Sequence, residues 1–290
     1  MSFRVAAGGR GHIQTLLCGP LGIAACLGVL FAGIGIADAR ELPLWEAGVG
    51  VFPSTFPAYR GSDDQQYYLL PIPYLMYHGD ILRIDREGVR ARLFDTDRIE
   101  VNVSVNGAIP VNSDESDARK DMPDLDPVFE VGPSLNVVLD RPAPGQTLKL
   151  KLPLRSVIAT NLDNTRQAGW TFNPHLNLDS SDMFGGWHAG LSVGPLFGNR
   201  RYHAYYYDVD PEYATPVRPA YEASGGYSGT VLLGSMSRHF DRIRVGAFIR
   251  YDYLSGAAFD DSPLVETDHS LMGGVAVSWI LKKSTRTVTR

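Results

Sequence analysis

RIEVNVSVN, residues 98–106, alternates without a fault: Ile99, Val101, Val103 and Val105 fall on one face, and Glu100, Asn102, Ser104 and Asn106 on the other. Successive side chains of a strand point to opposite faces, so a period of two with one apolar side marks a half-buried β-strand. The same pattern recurs along the chain. In TLKLKLPL, Leu148, Leu150, Leu152 and Leu154 oppose Lys149 and Lys151. In WTFNPHLNL, Trp170, Phe172, Leu176 and Leu178 oppose Asn173, His175 and Asn177. In RIRVGAFIRYDY, Ile243, Val245, Ala247, Ile249, Tyr251 and Tyr253 oppose Arg242, Arg244, Arg250 and Asp252. Helical periodicity is scarce between these segments, so the chain reads as all-β.

A soluble sandwich also alternates, and three features separate the cases. Charge sits on the polar faces and is nearly absent from the apolar ones, which suits a watery lumen inside and lipid outside. Several segments exceed the usual five or six residues and match the roughly 9–11 that a tilted membrane strand needs. Aromatic residues gather at segment ends: Trp45, Tyr67, Tyr77, Trp187, Phe197, Tyr227, Tyr253 and Trp279. Rings at both ends of lipid-facing strands form the interfacial girdles of outer-membrane barrels. The expected fold is therefore a closed antiparallel transmembrane β-barrel. Twelve strands are expected, at 44–52, 67–78, 81–86, 88–94, 98–110, 128–140, 146–158, 168–178, 187–197, 227–240, 242–254 and 269–281, with ten as the alternative. Connections alternate between short and long, the long ones being 53–66, 111–127, 198–226 and 255–268. Short turns on one side and long loops on the other are the habit of bacterial barrels.

The chain has 290 residues, 27 basic and 32 acidic, a formal net charge of −5 and a mean hydropathy of −0.10. Nucleic acid is not an expected partner, because phosphate neutralisation needs a basic face. Arg4, Arg10 and His12 precede the apolar run LLCGPLGIAACLGVLFAGIGIA, and ADA follows at 37–39. A basic start, an apolar middle and an A-x-A end compose a secretory leader, expected at 1–39 with cleavage after Ala39. An uncleaved anchor and a lipoprotein site at Cys26 are the alternatives. Cys18 and Cys26 are the chain's two cysteines, so cleavage removes disulfide and thiolate chemistry from the mature protein. The barrel is expected over 40–281, followed by a basic extension at 282–290 carrying Lys282, Lys283, Arg286 and Arg290.

Three blocks carry a family resemblance: AGVGVFPSTFPAYRGSDDQQYYLLPIPYLMYHGDILRIDREGVRARL near the start of the barrel, RYHAYYYDVDPEYATPVRPAYEASGGYSG at 201–229, and GGVAVSWIL near its end. Together they resemble the MipA/OmpV family of outer-membrane proteins. The resemblance implies a location in the outer membrane, a lipid environment, and partners in a lytic transglycosylase and a peptidoglycan synthase that a non-enzymatic scaffold would bring together. Another branch of the family implies a porin-like channel.

Residues outside the repeat carry the remaining candidate chemistry. The cluster Tyr202, His203, Tyr205, Tyr206 and Tyr207 lies in the longest loop, where amphipathic rings suit a cap over the barrel mouth at headgroup level. A stacking platform for sugar or lipid is the alternative. GLSVG at 190–194 has the form G-x-S-x-G, but it lies inside an alternating strand with no helix after it, so Ser192 is not expected to be a nucleophile. His175 and His188 fall on polar faces and read as lumen residues; with Ser192 they are the candidates for a barrel hydrolase acting on lipid. The acidic stretch 113–126 lacks the glycine and spacing of a calcium loop. No catalytic residue, metal or cofactor is expected. The polar lumen is expected to hold Glu100, Asn102, Lys149, Lys151, Asn173, His175, Arg242, Arg244 and Arg250.

Overall fold

The computed structural model describes residues 41–289 apart from 86–87, 109–112, 114–115, 162 and 184. The expected leader at 1–39 lies outside the described residues. Alternation becomes strand at β2 (Trp45–Pro57), β3 (Gln65–His78), β4 (Leu82–Asp85), β5 (Gly88–Asp95), β6 (Ile99–Ala108), β7 (Val128–Asp140), β8 (Gln146–Thr160), β9 (Thr165–Phe172), β10 (His175–Met183), β11 (Trp187–Gly198), β12 (Gly226–Phe240), β13 (Ile243–Tyr253) and β14 (His269–Lys283). Each pairs antiparallel with its neighbours, and β14 returns to β2 through pairs such as Trp279 with Val49. The sheet closes on itself.

Twelve staves make the wall, because β9 and β10 are one stave in two pieces. β8 pairs Leu154 with Phe172 and Lys151 with His175 in one continuing register. The break falls at Asn173 and Pro174, where proline has no N–H for a ladder. This stave is longer than the expected 168–178, running to Met183, and β11 begins at Trp187. β2 also runs on to Pro57, beyond the expected end at 52.

Short connections (79–81, 96–98, 141–145, 184–186, 241–242) share one end of the barrel. The long ones (58–64, 109–127, 199–225, 254–268) share the other. At the short-turn end, β1 (Glu41–Pro43) pairs with β15 (Thr287–Thr289), a small ribbon joining the two ends of the described chain. It is tied to the barrel by the Leu44 N–H donating to Arg286 O and the His78 N–H donating to Leu44 O. β14 itself runs through Lys282 and Lys283, so the expected basic extension begins inside the last stave.

Burial is inverted relative to a soluble protein. Leu69, Leu191, Ile249 and Leu271 are about half exposed, while Asn102, Ser134, Asn136, Asn177, Asp179 and Ser278 are buried. No described helix is long and apolar enough to cross a membrane. An apolar outer wall around a polar interior is what a barrel solvated by lipid requires, since every backbone polar group in the bilayer must be paired within the sheet.

Candidate functional site

The long-loop end is closed by a core of its own. α1 (Arg200–Tyr207) stands at the mouth, its N-terminus capped by Asn199, whose Oδ1 accepts from the Tyr202 N–H and also from the Trp170 N–H of β9. One carboxamide thus starts the helix and fastens it to the wall. Gly169 makes the approach feasible: its φ is +127°, and a Cβ there would lie 2.5 Å from the Tyr202 nitrogen. The tyrosine-rich stretch is this helix, which explains its composition: its rings enter apolar clusters, and the hydroxyls of Tyr205 and Tyr207 reach backbone oxygens around it.

Tyr207 stacks on Phe259 with ring centres 3.7 Å apart, and both are essentially buried. Tyr59, Val209, Leu125, Leu254 and Leu264 complete the cluster. Tyr207 donates to Arg60 O at 2.8 Å, Tyr205 to Asp126 O at 3.0 Å, and Tyr59 to Leu264 O at 2.8 Å. Arg119 donates to Tyr206 O, and Arg218 to Ala118 O and Lys120 O. Burial, with Asp126 adding, pushes the Tyr205 hydroxyl up to about 12. Tyr207 is buried among residues of the four long loops, and Tyr202 against Val128, Val157 and Ala168 of the wall.

His203 is wholly buried in this cap. Its Nδ1 donates to Ser224 O at 2.6 Å, so Nε2 is left to accept from the Ser228 hydroxyl. Burial pulls its pKa below the usual value, the Ser224 carbonyl opposes, and Arg60 adds to the fall. Beneath lies a buried ionic group. Asp252 of β13, with no exposed surface, accepts from Arg60 Nε at 2.9 Å and from both Arg250 Nε and Nη2 at 2.8 Å.

Lower in the lumen, charges meet in pairs across neighbouring staves or, for Arg244 and Glu46, across one intervening stave. Arg90 reaches Asp85 at 2.9 Å and Glu100 at 3.8 Å; Glu100 also accepts from Asn102 and Asn136. Lys149 lies 3.6 Å from Asp179, and Arg155 lies 3.9 Å from Glu130. Arg244 lies 3.8 Å from Glu46, which accepts from Tyr74 at 2.8 Å. Lys151 faces inward beside His175, whose Nδ1 donates to Asn173 O, while the Asn173 amide donates to Pro195 O. Arg242 is the exception to the expected set. It is exposed in the turn before β13, where the strand parity that placed it inside no longer applies.

Of the girdle set, Trp45, Tyr77, Trp187 and Trp279 lie at the short-turn end, with Trp45 and Tyr77 paired across β2 and β3. Tyr67, Phe197, Tyr227 and Tyr253 lie at the other end, where Phe197 meets Phe172 and Tyr227. The two groups lie at opposite ends of the wall.

The barrel does not assemble a hydrolytic triad from the candidates. Ser192 bonds the Asn177 amide at 2.9 Å inside the wall. His188 sits beside the Ala189–Ser180 rung, whereas His175 lies at the opposite end of β10, roughly 20 Å away along the strand. The residues that sequence reasoning missed are Arg60, Ser228 and Phe259. Arg250 and Asp252 share a face two residues apart, an adjacent-rung pair of opposite charge that was readable; their loop partner Arg60 was not.

A family model described as MltA-interacting protein MipA matches residues 49–281, nearly the whole wall and cap. The chain belongs to the MipA family. A comparison with curated proteins found no match. Among solved structures, a bacterial polysaccharide outer membrane secretin is 9% identical over 82% of this chain and 99% of its own, with a TM-score of 0.40. The toluene transporter TbuX of Ralstonia pickettii is 10% identical over 88% of this chain and 72% of its own, with a TM-score of 0.25. Scores this low bear on no functional argument for this MipA-family barrel.

Proposed function

We propose that this barrel is a non-enzymatic outer-membrane scaffold that holds a lytic transglycosylase, and with it a peptidoglycan synthase, close to the outer membrane. The leader at 1–39 would direct export and be removed, and the two aromatic groups would seat the barrel at the bilayer interfaces. The observation that carries the reading is the cap. An outer mouth filled by packed loops, with Tyr207 on Phe259 at its centre, suits a structural pillar better than an open pore. The family description adds the class of partner. At the short-turn end the β1–β15 ribbon and turns such as 96–98 and 141–145 offer the surface that faces the cell wall.

The test is to cross-link intact cells expressing the tagged barrel and identify what co-purifies from detergent-solubilised outer membrane. A lytic transglycosylase recovered with it, and not with an unrelated barrel of similar abundance, is the expected result. Recovery of abundant outer-membrane neighbours alone would remove the scaffold reading.

A further inference from the structure

Arg238 stands on the lipid side of the wall. Alternate residues of β12 share a face. Leu232, Met236 and Phe240 on its even-numbered face are exposed, while Ser237 between them is buried. Arg238 therefore points outward, two residues before β12 ends. It joins the aromatic group of the short-turn end. Its guanidinium carbon lies 4.7 Å from the centre of the Phe240 ring and 6.0 Å from that of Trp187. The two rings meet edge to face at 6.3 Å. Phe240 pairs with Ile243, and Ile243 with Trp279. The arginine thus sits at the level of rings that mark a bilayer boundary.

A cation at that level needs a counter-charge. Arginine is costly on the lipid face of a barrel at mid-bilayer and tolerated near the interfaces, where headgroups can supply one. Among the described residues no hydrogen bond or ion pair engages the Arg238 guanidinium. Asp182 of the neighbouring turn comes near without pairing. A Cβ at Gly186 would lie 3.7 Å from Arg238 Nε and 3.9 Å from Asp182 Oδ1. Glycine, with φ at +94°, leaves that space clear. Two more cations continue the arc. Arg242 is exposed in the turn after Phe240, and Lys282 is exposed on β14. They lie on adjoining chains, since the Ile280 N–H donates to Arg242 O at 2.7 Å. With Asp182 and Asp241 as its acidic residues, the arc of Arg238, Arg242 and Lys282 stays net positive.

The chemistry that fits is an anion joined to hydrocarbon. A guanidinium stacked on ring faces gains from the rings and keeps its N–H edge free. That edge matches two oxygens of a phosphate. Met236 and Leu232, farther along the same face, offer apolar surface to whatever the phosphate carries.

We propose that Arg238, braced by Phe240 and Trp187, binds the phosphate of a phospholipid in the leaflet on the short-turn side, with the acyl chains lying along Met236 and Leu232. The inference is independent of the scaffold reading, since it concerns the lipid face of β12 and not the rim that faces the cell wall.

The test uses the full mature chain in detergent, titrated with dioleoylphosphatidylglycerol and observed by native mass spectrometry. One lipid adduct that outlasts the detergent is expected at low lipid. Arg238→Gln should weaken it by about tenfold, because a charge-assisted pair to phosphate is lost. Arg141→Gln, which removes an exposed cation from another turn of the same end, should leave it unchanged. Dioleoylglycerol, with the same chains and no phosphate, should give no such adduct, and inorganic phosphate should not displace the phospholipid. An equal adduct in Arg238→Gln, with the folded gel mobility intact, would overturn the proposal. Equal retention of dioleoylglycerol would overturn it too, by making this ordinary contact of chains with rings. Displacement by inorganic phosphate would make the site one for a free anion. Loss of a co-purifying periplasmic protein from Arg238→Gln, with the lipid adduct kept, would make a protein the occupant. The comparison with dioleoylglycerol is made on the unmodified chain and decides the matter even where a variant fails to fold.

Discussion

Asp252 ties a loop to the wall. Its carboxylate, wholly buried, is shared by Arg60 from the 58–64 loop and Arg250 from its own strand. Removing one member of a buried ionic group leaves the others charged and unpaired, at a cost of about 3–5 kcal/mol. Asp252→Asn should therefore lower the temperature at which the folded barrel loses its compact gel mobility, and Arg60→Met with Asp252→Leu together should recover part of the loss. His203 sets a pH dependence in the same cap. Burial lowers its folded pKa, so between that value and the unfolded value of about 6.5 the unfolded state binds more protons. Its contribution is complete above about pH 6.5 and is lost as pH falls through the folded pKa. Trypsin cleavage at Arg200, Arg201 or Arg218, taken relative to its cleavage of an unstructured peptide at the same pH, should accordingly rise in mild acid, and His203→Gln should flatten that response. Arg60 is the charged neighbour that a protonated imidazole would meet. The Arg250–Asp252 half of this group could be read from RIRVGAFIRYDY, where both fall on the polar face. Arg60 and His203 could not be placed, because their partners arrive from loops far away in the chain and no periodicity governs where loops fold.

At the scale of elements, the contrast between strand and helix explains what was legible. RIEVNVSVN and TLKLKLPL declare strand because lipid on one side and a polar lumen on the other demand strict alternation. YHAYYYD offers no such pattern: α1 is short, polar at its start and stabilised by tertiary contacts with Gly169 and Asn199. The expected loop was there, but the helix within it was not foreseen. Arg242 was misplaced for a related reason, since parity was carried one residue ahead of the start of β13. The cap depends on Asn199, which holds both α1 and β9. Asn199→Ala should cost about 1 kcal/mol as a lost N-cap, raising hydrogen exchange of the amides of 200–207 and of Trp170 while amides of β13 stay protected. Asn199→Asp, which keeps the acceptor, should behave almost as the original.

For the whole molecule, the cap and the paired charges below it predict electrical silence. In a planar bilayer the intact barrel should show no steady conductance. Replacing residues 200–224 by a short Gly-Ser linker should open steps whose size falls when Glu130 and Arg155 are exchanged for large apolar residues. Steps from the intact chain would show that the loops do not fill the mouth. The twelve-stave wall could be anticipated because it repeats one local rule. The two-rung pairing of β3 with β4 could not, since it appears only when rungs are counted across the sheet.

The seam between β2 and β14 also has a meaning in time. A ribosome makes β2 first among the staves and β14 last, yet in the finished wall they lie side by side, Val49 against Trp279 and Glu46 against Lys283. Until the final segment arrives, β2 has a row of unsatisfied amides that hydrocarbon cannot hydrate. A chain cut short anywhere before β14 is left with two raw margins, and quality control has a simple criterion for such a product. Completion is all or none: the first stave waits, unprotected, for the last.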